Sequence, residues 1–169
     1  ETMVRQAVNL HALASLIDRG VPVSAAAGVV SFTVVVTGVT GLAWGFIVER
    51  LHVRYCAALA IIFKSLGIVV LVFADSIGWS ILFGLLYGVG LGGSRLFSNL
   101  LFADYFGRKS LGAILGFVRP FHLVVDIAGP ILASLAFDLT GSYSPALLFF
   151  LGAEAIALFA MAMAKPVPR

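Results

Sequence analysis

The sequence predicts an all-α protein of several membrane-spanning helices. Of its 169 residues, 61% are hydrophobic and only 11% are charged, whereas soluble domains carry about 25% charged residues. Runs of about 20 apolar residues are long enough to cross a bilayer as helices. Five such runs occur, at residues 23–47, 55–74, 78–102, 111–137 and 144–164. The gaps between them are alternately basic and nearly free of cations, which is typical of a multi-pass integral membrane protein.

The cations predict the orientation. The gaps after the first and third runs, together with the tail after the fifth, hold Arg50, Arg54, Arg108, Lys109, Lys165 and Arg169. The intervening gaps hold one cation, Arg19. Because Lys/Arg-rich loops stay in the cytoplasm, we expect a cytoplasmic C-terminus. The expected location is a bacterial inner (plasma) membrane.

The first element is different from the others. Residues 3–18 are helical in character but too short to span a bilayer alone. They are interpreted as part of a truncated spanning helix or as a polar helix that lines a cavity. The chain also begins with Glu rather than Met, which suggests a fragment. A turn at 18–22 then leads into the first long run, since Gly and Pro interrupt helices.

The remaining elements follow from the same signals. Turns near 75–76 and at 138–145 separate the later runs, and the run at 111–137 contains Pro120 and Pro130. Small residues four apart allow close contact between helices. Such spacings occur at Gly41/Gly45, Gly84/Gly88, Gly88/Gly92 and Gly112/Gly116. We expect these glycines to mark helix contacts, either for tight packing or for helices that slide during a transport cycle.

Composition excludes several classes of function. The net charge of +3 is explained by loop cations, and no basic cluster interleaved with aromatic residues predicts nucleic-acid binding. A single cysteine, Cys56, excludes a disulfide framework or a cysteine zinc site. We expect no metal and no cofactor. An intramembrane protease would need facing Ser and His residues; Ser94 and His122 lie on different helices, but no Gly-x-Ser-x-Gly occurs. We therefore expect that the protein is not an enzyme.

Ionisable residues inside the apolar runs are the strongest functional signal. Each costs about 2.5–3.5 kcal/mol at a helix centre, so a charge kept there normally faces protein or water. The group comprises Lys64, Arg95, Arg119, Asp126 and Glu154, with His122 beside them. Lys64 and Glu154 fall at the middle of their helices with opposite charge, and this predicts a structural ion pair between helices.

The other four lie where a solute could bind. Arg119, His122 and Asp126 fall within an arc of about 60° on one helix. Arg95 and Arg119 each lie roughly 6–8 Å to the cytoplasmic side of their helix centres, so both could bind a carboxylate. Asp126 and His122 either carry a coupling proton or only neutralise an arginine and pack. Further candidates for substrate binding are Asn99, His11 and Asn9.

One cytoplasmic loop carries a family resemblance. Gly41, Gly45, Glu49, Arg50 and Arg54 resemble the loop signature of the major facilitator superfamily, in which glycines precede an acidic residue followed by basic ones. The segment 88–116, which includes Asp104, Arg108 and Lys109, resembles the monocarboxylate and oxalate/formate-like branch, as do residues 11–27 and 129–143. These loop residues would form gating motifs.

The resemblance implies that the chain is helices seven to twelve of a twelve-helix transporter, with the first one truncated. Such a half contains two inverted three-helix repeats and binds substrate near the membrane midplane. It works with an N-terminal six-helix half, surrounded by lipid. The branch holds anions with cations on helices eight and eleven. Arg119 fits the eleventh, but the eighth has no cation, which argues against dicarboxylate exchange.

The expected function is secondary active transport of a small monocarboxylate-like anion by alternating access, with possible coupling to protons. Two alternatives stay open. One is a major facilitator transporter of another small solute, such as a drug or a sugar. The other is a non-transporting fragment that needs a partner half.

Overall fold

The computed structural model describes residues 1–107 and 111–163, apart from the side chains of Arg95 and Phe106. This part of the chain is built of helices only. They are α1 (Thr2–Asp18), α2 (Val23–Val48), α3 (Val53–Val72), α4 (Ile77–Phe106), α5 (Leu111–Thr140) and α6 (Ser144–Met163). Within the described residues, five helices are long and apolar enough to span a membrane, and α1 is not among them. The predicted all-α class and the five long helices are therefore confirmed.

The predicted helix boundaries differ most at α4. The prediction ended it at residue 102, but the helix continues to Phe106 and ends where Gly107 adopts a φ of +79°. Only glycine reaches that conformation without strain, and its amide closes the helix on the carbonyl of Ala103. Asp104 is therefore in the last turn of α4 rather than in a loop. Arg54 likewise lies in the first turn of α3.

Helix α4 lies between α2 and α3 and contacts both along its length. Glycines on two of its faces allow this approach. A Cβ added at Gly90 would lie 2.5 Å from the Ala60 carbonyl oxygen of α3, and one at Gly88 would lie 2.9 Å from the Val36 side chain of α2. The side-chain volume of any other residue would force the helices apart, so these glycines set the interhelical distance.

The glycine-spacing prediction is confirmed at some positions and not at others. Gly84, Gly88 and Gly92 all meet α2, and Gly41 lies against the Gly92 carbonyl oxygen. In contrast, a Cβ at Gly45, Gly112 or Gly116 would have no neighbour within 4 Å among the described residues.

The second main pairing joins α1 to α5, and α6 packs on α3. Gly129 of α5 lies against the carbonyl oxygen of Met3 in α1. The core between the helices holds apolar side chains of α1, α3, α4 and α6, including Val4, Leu16, Leu71 and Phe150. The outer faces of α2, α5 and α6 expose large apolar side chains such as Leu42, Phe46, Phe117 and Ile156. Such faces suit contact with lipid or with another helical bundle.

Candidate functional site

A cavity of about 400 Å³ lies between α1, α2 and α4. This volume is within the range of small-molecule sites, roughly 300–1,000 Å³. Its walls are mostly apolar, and they comprise Val8, Ala12, Val30, Val34, Phe83, Leu91 and Gly92. The polar groups at its surface come from Asn9, Thr33, Thr37 and Tyr87. The cavity therefore offers an apolar space with a few polar contacts.

The two threonines are already hydrogen-bonded within α2. Thr33 donates to the Val29 carbonyl oxygen at 2.8 Å, and Thr37 donates to the Thr33 carbonyl oxygen at 2.7 Å. Each hydroxyl proton is thereby used, as is common for threonines in helices, and each oxygen keeps its acceptor capacity. The amide of Asn9, an exposed residue, can both donate and accept.

Arg5 links α1, which lines this cavity, to α5. Arg5 is one turn from Asn9 on the same face of α1, since residues four apart in a helix are neighbours. Its Nη2 is 3.8 Å from Oδ1 of Asp126 on α5, and the two side chains are 14% and 24% exposed. Tyr87, a cavity residue, directs its hydroxyl at the Arg5 carbonyl oxygen, 3.5 Å away. Arg5 is thus held between α5 and the cavity lining.

A second cavity of about 360 Å³ opens at the ends of α4, α5 and α6 that the sequence predicts to be cytoplasmic. His122 of α5, Ser98 and Tyr105 of α4 and Glu1 contribute polar groups, and Thr2, Leu101, Phe102 and Met161 complete the lining. His122 and Asp126 therefore belong to different surroundings. His122 faces this cavity, whereas Asp126 faces Arg5.

The structure brings Lys64 and Glu154 together. Nζ of Lys64 lies 3.0 Å from Oε1 of Glu154, and both side chains are fully buried. The Glu1 carboxylate is a second partner of Lys64, also at 3.0 Å. The predicted pair is therefore part of a larger buried cluster.

The other predicted substrate-binding residues are not brought together. Arg119 and Asn99 are exposed on α5 and α4. His11 lies at the α1–α5 contact, where its Nε2 is 3.2 Å from the Pro130 carbonyl oxygen and its ring is 5.3 Å from that of Tyr143. Burial, together with the carboxylates of Asp18 and Asp138, raises the pKa of the Tyr143 phenol. Of this group, only Asn9 lines the larger cavity. The Arg95 side chain lies outside the described part of the structure.

The predicted gating residues form two contacts at the same end of the bundle. Arg54 donates to the carbonyl oxygen of Ala162 at the end of α6. His52, which accepts the Arg54 amide at the start of α3, lies 3.7 Å from the Asp104 carboxylate of α4. Glu49 and Arg50 are exposed in the turn after α2. Arg108 and Lys109 lie outside the described residues.

Sequence reasoning missed Arg5, Glu1 and Tyr87. No role was assigned to Arg5 from the sequence. Its spacing of four residues from Asn9 could have identified it, because it places both on one helix face. No group of three or more metal-ligating side chains occurs in residues 1–107 and 111–163. No family model matches the sequence, and no curated protein or solved structure is similar to it.

Proposed function

We propose that this chain is the C-terminal six-helix half of a secondary transporter, similar to those of the major facilitator superfamily, that moves a small organic anion by alternating access. The observation that carries this proposal is the cavity between α1, α2 and α4 with Arg5 one turn from Asn9. An apolar space with a cation at its edge suits a short apolar body that ends in a carboxylate.

The helix pairing agrees in part with an arrangement of two inverted repeats. If α1–α3 and α4–α6 are equivalent, the contact of α4 with α2 corresponds to the contact of α1 with α5, and both are extensive. The extensive contact of α3 with α4 has only a small counterpart between α6 and α1. Transporters built this way bind their substrate near the midplane, between repeats.

Three cations, Arg5, Arg95 and Arg119, would bind the anion at successive points along its path. Position 95 is one turn from Leu91 of the larger cavity and on the same face of α4. Arg119 is exposed on α5, where the second half of the transporter would cover it. Arg5 would meet the carboxylate at the cavity, and Arg95 and Arg119 would hold it when the cavity opens to the cytoplasm.

The glycine contacts support a tightly packed half. Side chains of α2 such as Thr33 and Val36 pack onto Gly84 and Gly88 of α4. In alternating access, the two halves rock about a fixed site, and a half packed in this way can move as a unit. The proposal also places the protein in a bacterial plasma membrane, with its C-terminus in the cytoplasm.

A transporter for a neutral solute is the second candidate. It is favoured by the lining of the larger cavity, because the described residues there include no charged side chain. Asn9, Thr33 and Thr37 could bind hydroxyl groups of such a solute instead.

Uptake by the full-length protein in proteoliposomes tests the proposal. The panel contains short monocarboxylates, dicarboxylates and neutral sugars. We expect monocarboxylate uptake that Arg5→Ala and Arg119→Ala reduce. Arg19→Ala is the matched control, since Arg19 bonds to the Ser144 hydroxyl at the opposite end of α1. Uptake of sugars alone, or normal monocarboxylate uptake in both variants, would contradict anion binding.

A further inference from the structure

The buried cluster around Lys64 contains more carboxylate than a simple ion pair requires. Lys64 of α3 lies 3.0 Å from Glu154 of α6 and 3.0 Å from Glu1, which precedes α1. The Lys64 and Glu154 side chains are 0% exposed, and that of Glu1 is 27% exposed. One ammonium group therefore pairs with two carboxylates, one from α6 and one from the residue that precedes α1.

The two carboxylates are not equally stabilised. Lys64 donates a hydrogen bond to Glu1. Its 3.0 Å contact with Oε1 of Glu154 is an ion pair that it shares with Glu1, and Oε2 of Glu154 has no hydrogen-bond partner among the described residues. A buried ionised carboxylate that shares its one cation and keeps an unsatisfied oxygen is unfavourable, and such a group readily becomes neutral. Glu154 is thus the member of the cluster most suited to bind a proton.

The neighbouring groups offer Glu154 little compensation. The buried Tyr87 lies near Glu154 and Glu1, but its hydroxyl is directed at the Arg5 carbonyl oxygen, and the Arg5 guanidinium lies beside Asp126. The Ser94 hydroxyl donates to the Gly90 carbonyl oxygen. These groups leave Lys64 as the closest cation to Glu154.

A route to the cluster exists on one side. Glu1 lines the cavity of about 360 Å³ that also contains His122, Thr2 and Ser98. The same Glu1 carboxylate contacts Lys64, and Lys64 contacts Glu154. A proton can therefore pass from water in the cavity to Glu1 and then to Glu154, with Lys64 between them.

We propose that Glu1, Lys64 and Glu154 form a proton-binding site, filled from the cytoplasmic cavity, in which Glu154 carries the proton coupled to transport. With Glu154 protonated, Lys64 pairs with Glu1. When the proton leaves as hydronium, the Glu154 carboxylate draws Lys64 away and Glu1 at the start of α1 is released. The coupling part of this inference rests on the proposed transport function; proton binding does not.

Infrared difference spectroscopy tests proton binding directly. The full-length protein in lipid vesicles is compared at acidic and alkaline pH, as wild type, Glu154→Gln and the control Asp75→Asn, which changes an exposed carboxylate in the turn between α3 and α4. A protonated-carboxyl band should change with pH in the wild type and the control and be lost in Glu154→Gln. An unchanged band in Glu154→Gln would overturn the proposal.

Transport measurements then test coupling. In proteoliposomes, Glu154→Gln should lose accumulation driven by a pH gradient but keep solute exchange at equal pH, because Gln mimics the protonated side chain. Retention of pH-driven accumulation would refute coupling while leaving transport intact. A wild type that transports no carboxylate would instead refute the proposed function, and the infrared result would still decide proton binding. If Glu154→Gln does not fold, Glu154→Asp decides the same question: the pH-dependent band should shift in frequency, and an unshifted band would overturn the proposal.

Discussion

The Arg5 guanidinium and the Asp126 carboxylate lie 3.8 Å apart and join α1 to α5. The pair is mostly buried, and 3.8 Å is longer than a hydrogen bond. Asp126 Oδ1 has no hydrogen-bond partner among the described residues. The pair therefore depends on charge more than on hydrogen-bond geometry, and removal of either member leaves the other uncompensated.

Neutralising one member should destabilise the protein more than neutralising both. We expect Arg5→Gln and Asp126→Asn each to reduce stability by about 1–2 kcal/mol, less than for a fully buried pair. The double variant should recover part of this loss, because no uncompensated charge remains. Thermal unfolding of the full-length protein in detergent measures the three values. Simple additivity of the two losses would exclude a coupled pair.

The close contact at Gly90 predicts that adding a single methyl group there lowers the stability of the protein. A Cβ there would lie 2.5 Å from both the Ala60 carbonyl oxygen and the Lys64 amide nitrogen, and overpacking of this kind costs about 1–3 kcal/mol. Gly90→Ala should therefore lower thermal stability. Gly116→Ala is the matched control, because no atom of residues 1–107 and 111–163 lies within 4 Å of its Cβ. Equal stabilities of the two variants would contradict the close α3–α4 contact.

Asn9 is predicted to set affinity for the transported solute. It supplies the cavity with a side chain that both donates and accepts, so Asn9→Leu should raise the KM for uptake about tenfold, equivalent to about 1.4 kcal/mol. Ser31→Ala is the control, since the exposed Ser31 hydroxyl bonds to the Ala27 carbonyl oxygen in its own helix. Concentration-dependent uptake in proteoliposomes gives both KM values, and an unchanged KM would remove Asn9 from the binding site.

Cysteine labelling tests the orientation. Cys56 is the single cysteine of residues 1–169 and is fully buried. A full-length protein with Cys56→Ala, and with any cysteine of the other half also replaced by Ala, should give no label. In that background, Ser76→Cys in the α3–α4 turn should react with a membrane-impermeant thiol reagent added outside intact cells. Leu51→Cys, in the α2–α3 turn, should react only after the membrane is opened. The opposite pattern would reverse the predicted topology.

The helices were predictable because membrane spans depend on local composition. Apolar length alone located α2, α3, α5 and α6 to within about two or three residues. The extension of α4 to Phe106 was not predicted, since Asp104 and its neighbours resembled a loop signature. In the structure they form the last turn before the positive φ of Gly107.

The site was predictable only in part, because partners across helices depend on three-dimensional packing. Mid-helix position and opposite charge were enough to suggest Lys64 with Glu154, but the third member, Glu1, gave no signal. Arg119, His122 and Asp126 lie on one helix, α5, at the helical spacing that the prediction used. These residues nevertheless meet different neighbours, since Asp126 lies beside Arg5 of α1 and His122 lines the cavity of about 360 Å³.

Pro130 gives α5 a mechanical weak point that α1 spans. A proline lacks the amide that would bond to the carbonyl four residues earlier, here that of Asp126, so the rod-like stiffness of the helix falls at this level. Helix α1 is fixed on both sides of it, through Arg5 at Asp126 and through His11 at the Pro130 carbonyl oxygen. Helix α1 thus braces α5 at this level, and bending of α5 there would disturb these attachments and the contact of Gly129 with Met3.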